Sequence, residues 1–174
     1  MPSTHNRACR YVTLFAMLTN AVGCAGAAPV HSIAPGRHVA PPSPDAPSTR
    51  DCPTSAIRSV VAGVNAARRR ARLRVLVADP RLARAAYARA KTMAARNRLS
   101  HSGWESVVRG DDAVDGSIGE NVAYNYPTAE AVMRGWLASP GHRANILHAS
   151  FHRIGVGCIV DASGTRWWTQ DFAD

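Results

Sequence analysis

The amino-acid sequence predicts an α+β domain, with helices in its first part and an antiparallel pair of strands at its end. Apolar residues recur at three- and four-residue steps between residues 54 and 97, as they do on the buried faces of helices. Residues 154–160 instead alternate with a period of two, which is typical of a strand. Because helical and strand segments do not alternate along the chain, a layered α+β fold is favoured over βαβ units.

Two long helices are predicted in the first half of the domain. The first runs from Thr54, its predicted N-cap, to Arg70. The second begins at Asp79-Pro80, a capping acid followed by proline at the first helical position, and reaches about Asn97. Their predicted buried stripes are Ile57, Val60, Val61, Val64 and Ala67 in the first helix, and Leu82, Ala86, Ala90 and Met93 in the second.

Two further helices follow residues 110–119, which show no periodicity. Thr128 is the predicted cap of a helix over residues 129–138. The pair Ser139-Pro140 then starts a short helix that reaches Leu147.

A β-hairpin is predicted at the end of the chain, with the turn at residues 161–164 and the second strand at residues 167–172. Trp136, Trp167 and Trp168 are expected in the core, whereas Trp104 is expected to be partly exposed.

The first 24 residues have the pattern of a secretory signal. Arg7 and Arg10 precede an apolar run over residues 11–23, which is too short to be a permanent membrane anchor. Two outcomes remain open: cleavage after the small residues 25–27, or lipidation at Cys24, whose preceding residues resemble a bacterial lipobox. Contact with a membrane is expected only through that lipid anchor.

Residues 25–51 are rich in Pro, Ala, Ser and Gly and are predicted to be a disordered tether, so that the folded domain covers residues 52–174. This domain contains two cysteines, Cys52 and Cys158. In an exported protein they are expected to form a disulfide, although two free thiols remain the alternative. The chain-entropy model values such a bridge at about 4 to 5 kcal/mol.

The formal charge of +9 is concentrated in residues 50–110, which carry fourteen basic and three acidic side chains. The arginine run Arg68, Arg69, Arg70, Arg72 and Arg74 is predicted to bind an anionic polymer of the cell envelope. A solvated helix end and a coding bias toward arginine are the alternatives. Because no aromatic residues are interleaved with these arginines, no specific binding of nucleic acid is expected.

Several motifs in register resemble the CAP superfamily of cysteine-rich secretory proteins, in its short bacterial branch. They are Val64-Asn65, Arg68, Asp79, Leu82, Ala86, Met93-Ala94, Ser100-His101, residues 119–123 (GENVA), residues 139–147 (SPGHRANIL), residues 154–157 (IGVG) and Trp168-Thr169-Gln170. The resemblance implies an α-β-α sandwich with a central antiparallel sheet flanked by helices. It also implies a location that is secreted or associated with the cell envelope, and a shallow cleft lined by histidines and acidic residues.

Carried over residue by residue, the resemblance places His101, His142 and Glu120 in the cleft, with Ser139 and Asn145 beside them. In eukaryotic members a second cleft Glu occupies the position of Ser139. Glu130, nine residues earlier, is the remaining acidic candidate to replace it.

Two imidazoles and one carboxylate suit an open zinc site, with a fourth position for water or substrate. The alternative is architectural: both histidines close a loop onto a helix, Glu120 accepts backbone N–H groups, and Asn145 bonds a loop backbone. The trio could also act in acid-base catalysis. No serine lies in a nucleophile elbow. His148 and His152 are predicted to be surface residues rather than a metal pair.

The first functional hypothesis is a monomeric, exported binding module for a small apolar, glycan or peptide ligand. The alternative is a metal-dependent hydrolase in which His101, His142 and Glu120 position a metal-bound water. A third hypothesis is a structural envelope protein that holds an anionic polymer on its basic face.

Overall fold

The computed structural model describes residues 49–110 and 116–174. The predicted signal segment, Cys24 and the predicted tether up to residue 48 lie outside these residues. The helices of the described part are α1 (Thr54–Arg70), α2 (Pro80–Arg96), α3 (Trp104–Arg109), α4 (Ala129–Ala138) and α5 (Pro140–Ile146). Its strands are β1 (Arg50–Asp51), β2 (Val77–Ala78), β3 (Ile118–Tyr124), β4 (Arg153–Val160) and β5 (Arg166–Ala173).

The predicted β-hairpin forms the centre of the sheet. The strand order is β1-β4-β5-β3, and β4, β5 and β3 pair antiparallel. The short strands β1 and β2 both pair with β4, β1 antiparallel and β2 parallel. As a result, β3 forms one edge of the described sheet, and the two short strands occupy the other.

Helices cover both faces of the sheet, which confirms the predicted α-β-α sandwich. On one face, α1 and α4 bury Val64, Val132 and Trp136 against β4 and β5. On the other face, Ala90 and Met93 of α2 pack against strand residues. Glycines of β4 let α2 approach this closely, since a Cβ on Gly155 would lie 2.0 Å from the backbone carbon of Leu82.

Helix starts follow the predicted capping residues in part. The Asp79 carboxylate accepts hydrogen bonds from the N–H groups of Arg81 and Leu82, and Thr128 accepts one from Ala131. Thr54 is not the N-cap of α1: Pro53 occupies that position, and no side chain caps the helix.

The folded domain begins before Cys52. Arg50 and Asp51, assigned above to the tether, pair with Val160 and Ile159 of β4. The composition of residues 50 and 51 did not indicate this pairing, because backbone pairing with an existing edge strand needs no apolar side chains.

The predicted disulfide between Cys52 and Cys158 is present, with a sequence separation of 106 residues. Within the described residues, none of the helices combines the length and the apolar character needed to span a bilayer.

Arg68 lies in the interior and not on the predicted basic face. Its side chain is 0% exposed and donates hydrogen bonds to the carbonyl oxygens of Arg74, Ile146, His148 and Phe151. Arg68 faces inward because of the helical period: it lies four residues after the buried Val64, on the same side of α1. Arg68 therefore joins α1 to the segment after α5.

The other arginines of the run, Arg69, Arg70, Arg72 and Arg74, are exposed. They stay available for the predicted interaction with an anionic polymer, which remains a prediction.

Candidate functional site

Glu120 is a fully buried carboxylate on the edge strand β3, and Arg89 of α2 is its main partner. Arg89 Nε donates to Glu120 Oε2 at 2.8 Å, and Nη2 lies 3.4 Å from Oε1. The two side chains are 6% and 0% exposed. A buried carboxylate with a two-point guanidinium partner is held in one orientation.

His101 completes this cluster from the loop between α2 and α3. Its Nδ1 lies 2.9 Å from Glu120 Oε1, and its side chain is 56% exposed. Arg89 also donates to the carbonyl oxygens of Ser100 and Ser102, on either side of His101. One arginine thus orients the acid and also holds the loop that carries the imidazole.

With the Glu120 carboxylate as acceptor, Nδ1 of the neutral His101 ring carries the proton. The Nε2 lone pair of that ring is then the free polar group.

His142 is positioned by α5, which contacts β3 as well as α4 and α1. Asn121 of β3 donates to the carbonyl oxygen of His142, and Asn145 of α5 donates to the carbonyl oxygen of Glu120 and to Asn121 Oδ1. Asn145 therefore bonds the backbone of a strand and a neighbouring amide, rather than the loop backbone that the architectural hypothesis expects. Burial, followed by the charge of His101, lowers the pKa of His142. The two rings are electrostatic neighbours, and His142 is neutral near neutral pH.

Neither Ser139, at the position of the second cleft Glu, nor Glu130 joins this cluster. Ser139 lies between α4 and α5, and no hydrogen bond from its side chain caps α5. Glu130 is exposed in the first turn of α4, where hydrogen bonds from its own backbone N–H and from Thr128 lower its pKa. Its carboxylate therefore stabilises the start of α4.

Asp171 is a buried acid beside Glu120 that the sequence analysis did not single out. It lies directly opposite Glu120 in the pairing of β3 with β5, so both side chains share the sheet face that α2 covers. Asp171 is 0% exposed, and neither carboxylate oxygen has a hydrogen-bond partner among the described residues. Burial, then the negative charge of Glu120, raises the pKa of Asp171 well above its ordinary value, although Arg89 lowers it in part.

The contacts of Glu120 and His101 bear directly on the zinc hypothesis. Within residues 49–110 and 116–174, no group of three or more His, Cys, Asp and Glu side chains is arranged to hold a metal ion. Both oxygens of Glu120 already have partners, and the ring nitrogen of His101 nearest to it is bonded to the same carboxylate. As arranged here, the three residues do not form the ligand set of an open zinc site. Zinc binding by His101 and His142 stays a prediction.

The remaining histidines and the tryptophans differ in burial. His148 is partly buried with its ring against Phe151, whereas His152 is exposed. Trp136, Trp167 and Trp168 are 1%, 2% and 0% exposed and belong to the core, as predicted. Trp104 is half-buried, also as predicted.

Arg89 was missed by the sequence analysis, although a signal for it was present. It is three residues after Ala86 and four before Met93, which places it on the predicted buried stripe of α2. A charged residue on a buried stripe requires a partner. The sequence alone does not say that this partner is Glu120, 31 residues away.

Comparisons with known proteins agree with this fold and these motifs. The family model described as the cysteine-rich secretory protein family, CAP, matches residues 61–172. The uncharacterized protein YkwD of Bacillus subtilis (strain 168) is 32% identical over 120 residues, which cover 66% of this chain and 46% of YkwD.

Two solved structures share the fold. An extracellular protein containing an SCP domain from Bacillus anthracis str. Ames has a TM-score of 0.63 and 27% identity, covering 69% of this chain and 40% of that one. An outer surface protein from Borrelia burgdorferi has a TM-score of 0.67 and 16% identity, covering 72% of this chain and 97% of that one, and shows the fold alone. The chain thus spans less than half the length of YkwD and of the Bacillus anthracis protein. Because the family model matches well over half of its residues, the chain belongs to the cysteine-rich secretory protein (CAP) family.

Proposed function

We propose that this domain is an exported binding module whose ligand contacts the imidazoles of His101 and His142. The observation that carries the proposal is the arrangement of Glu120. Its side chain is 0% exposed, and its two carboxylate oxygens are hydrogen-bonded to Arg89 and to His101. This acid is placed to orient an imidazole and has no free oxygen for a substrate. The ligand is a small apolar, glycan or peptide molecule.

The imidazoles of His101 and His142 differ in exposure, and together they offer such a ligand both polar and apolar surface. The ring of His101 is more than half exposed, and its Nε2 can accept a hydrogen bond from a hydroxyl or amide. The half-buried ring of His142 is neutral near neutral pH, and it offers an apolar face as well as a nitrogen. A neutral, amphipathic ligand suits this pair better than a cation.

The alternative, a metal-dependent hydrolase, requires Glu120 as a ligand or a base. Either role would need the Glu120 carboxylate to leave Arg89, at the cost of separating a buried ion pair. The buried ion pair of Arg89 and Glu120 therefore favours binding over hydrolysis.

Export is supported by the predicted signal segment. It is also supported by the Bacillus anthracis relative, which is described as an extracellular protein. Association with the envelope through Cys24 is part of the same proposal.

The test uses three probes, one for each ligand class: the trimer of N-acetylglucosamine, trialanine and 1-octanol. Each is titrated into the 15N-labelled protein while the ring resonances of His101 and His142 are followed. At least one probe is expected to shift the ring resonances of both histidines. His101→Ala is expected to lower the affinity for that probe by about tenfold, which corresponds to the loss of one good hydrogen bond.

The matched control is His152→Ala, which removes an exposed imidazole outside the cluster. It should leave the affinity unchanged. If no probe shifts the two rings, or if His152→Ala weakens binding as much as His101→Ala, binding through these rings is contradicted. Hydrolysis of a probe that requires added zinc and is lost in His142→Ala would favour the alternative.

A further inference from the structure

Tyr124 presents an exposed aromatic ring at the end of β3, on the same sheet face as Glu120. Side chains of a strand alternate between its two faces, so Glu120, Val122 and Tyr124 share one face. Glu120 and Val122 are buried there, whereas Tyr124 is 51% exposed. The backbone distance from Glu120 to Tyr124 is about 13 Å. A ligand of that length could contact both His101 and the tyrosine ring.

The ring of Tyr124 is supported by Trp167, its pairing partner on β5. The two ring centroids are 5.3 Å apart, and the ring planes differ by 23°. Trp167 is 2% exposed, and its Nε1 donates to Asp161 Oδ2 at 2.7 Å. One side of the tyrosine ring is therefore held by a fixed neighbour while the ring stays exposed. An aromatic ring held in this way is preorganised for stacking with a ligand.

The loop after α2 returns along β3 from the tyrosine to the histidine. Met93, in the last turn of α2, lies in the same apolar cluster as Trp167, whereas His101 bonds Glu120. Leu99, between Met93 and His101 in the sequence, is 37% exposed. An aromatic ring, an apolar side chain and an imidazole are therefore exposed along this edge of the sheet.

The backbone pairing of β3 shows which of its groups face away from β5. Asn125, directly after β3, donates its N–H to the carbonyl oxygen of Arg166 at 2.9 Å. Antiparallel pairing alternates, so every second residue counted back from Asn125 bonds β5. Glu120 and Val122 lie between those residues, and their N–H and C=O groups point outward from the sheet.

The outward carbonyl oxygens of β3 already have partners. Asn145 Nδ2 donates to the carbonyl oxygen of Glu120 at 3.1 Å, and Trp136 Nε1 lies 3.5 Å from that of Val122. An extended peptide that added to this edge as a strand would need the same oxygens as acceptors. A peptide bound by strand addition is therefore disfavoured.

A wholly apolar ligand also fits this surface poorly. Such a ligand requires a site that removes most of its area from water, whereas Tyr124 and His101 are each more than half exposed. A sugar ring has an apolar face of C–H groups that stacks on an aromatic ring. Its hydroxyl groups stay in water or donate to an imidazole nitrogen. Among the three ligand classes, the exposed surface favours the glycan.

We propose that the ligand of this domain is a linear oligosaccharide, with one sugar ring stacked on Tyr124 and another hydrogen-bonded to Nε2 of His101. The inference rests on the proposed function, to which it adds a ligand class and Tyr124 as a binding residue. A single sugar does not cover the distance of about 13 Å between the two strand positions, so the affinity should depend on chain length.

The test titrates N-acetylglucosamine and, separately, its trimer into the full chain while the ring resonances of Tyr124 and His101 are followed by NMR. The trimer is expected to shift both rings and to bind more tightly than the monomer. Tyr124→Ala is expected to lower the affinity for the trimer by about fivefold to tenfold, the size of one aromatic contact. Tyr124→Trp should preserve the affinity, because the indole ring keeps the stacking surface.

The matched control is Tyr87→Ala. Tyr87 is 37% exposed and belongs to α2, and its hydroxyl donates to Asp51 at the opposite edge of the sheet. Removing this ring should leave the affinity for the trimer unchanged.

The oligosaccharide proposal is overturned if Tyr124→Ala binds the trimer as tightly as the unaltered protein does. It is also overturned if trialanine or 1-octanol shifts the rings of His101 and His142 and the trimer does not, although the proposed function then stands. If no probe shifts those two rings, the proposed function fails as well.

Discussion

Arg89 Nε lies 2.8 Å from Glu120 Oε2, in a position where neither side chain is more than 6% exposed to solvent. The pair joins α2 to the edge strand β3, and through the carbonyl oxygens of Ser100 and Ser102 it also fixes the loop that carries His101. One ion pair therefore determines both the fold at this edge and the geometry of the proposed binding surface.

Replacing Arg89 with methionine is expected to destabilise the domain by about 3 to 5 kcal/mol, because it leaves the Glu120 carboxylate buried without its cation. Urea unfolding measures the change. Arg84→Met, on the exposed side of the same helix, is the control and should change the free energy of unfolding by less than about 0.5 kcal/mol. Equal effects of the two variants would show that the buried ion pair has no special importance.

Asp171→Asn is expected to stabilise the domain at neutral and alkaline pH. Because the pKa of Asp171 is raised in the folded state, the folded protein keeps a proton that the unfolded chain releases. Stability should therefore fall as pH rises from the ordinary pKa of an aspartate through the raised value. Asparagine does not titrate and removes this loss, so its gain in stability should grow by up to about 1.4 kcal/mol for each pH unit between the two pKa values.

Urea unfolding between about pH 4 and pH 8 measures this dependence. Thr169→Val, two residues away on the same strand face, is the control because a hydroxyl does not titrate there. It should shift stability equally at every pH. An Asp171→Asn variant that keeps the pH slope of the unaltered protein would refute the assignment of a protonated Asp171.

The titration of His142 is expected to respond to His101. Both burial and the charge of His101 lower the pKa of His142, and burial is the larger cause. In His101→Gln the pKa of His142 should therefore rise, but it should stay below its ordinary value. Since the pKa is depressed on folding, His142 contributes stability at neutral pH that is lost as the pH falls below that ordinary value.

Proton NMR titration of the His142 ring measures both effects. If the titration midpoint of the His142 ring is unchanged in His101→Gln, the two rings are not neighbours. The variant His152→Gln, which replaces an exposed ring, should leave the midpoint in place.

Replacing Cys52 and Cys158 together with serine is expected to lower the free energy of unfolding by about 2 to 5 kcal/mol. The bridge spans 106 residues, and it therefore restricts a large part of the unfolded chain. Thermal unfolding with and without a reducing agent measures this. Reduction should destabilise the unaltered protein but not the double variant, and an equal response of both would exclude the disulfide as the cause.

Much of the fold could be predicted from the sequence, because its long helices carry strong local signals. The ends of α2 follow from Asp79-Pro80 at its start and from Asn97, whose left-handed backbone closes the helix. The hairpin of β4 and β5 also has its own periodicity. By contrast, β1, β2 and α3 span only two to six residues and bury too few apolar side chains to leave a pattern.

The site was only partly predictable, for a physical reason. His101, Glu120 and His142 were found through their motifs, whereas Arg89 and Asp171 contribute through contacts between distant segments. The register of β3 against β5 brings Asp171 opposite Glu120, and sequence alone does not determine that register. Arg68 is a different case, because its inward position follows from the helical period: it lies four residues after the buried Val64.

The most direct test is the tautomer of His101, read from long-range 1H–15N correlations of its ring at a pH where the ring is neutral. If Glu120, held by Arg89, accepts a hydrogen bond from this imidazole, the proton is on Nδ1 and the Nε2 lone pair faces the ligand. This result should be independent of added zinc and should be lost in Glu120→Gln. A proton on Nε2 in the unaltered protein would contradict the account, because His101 would then not be oriented by the buried acid.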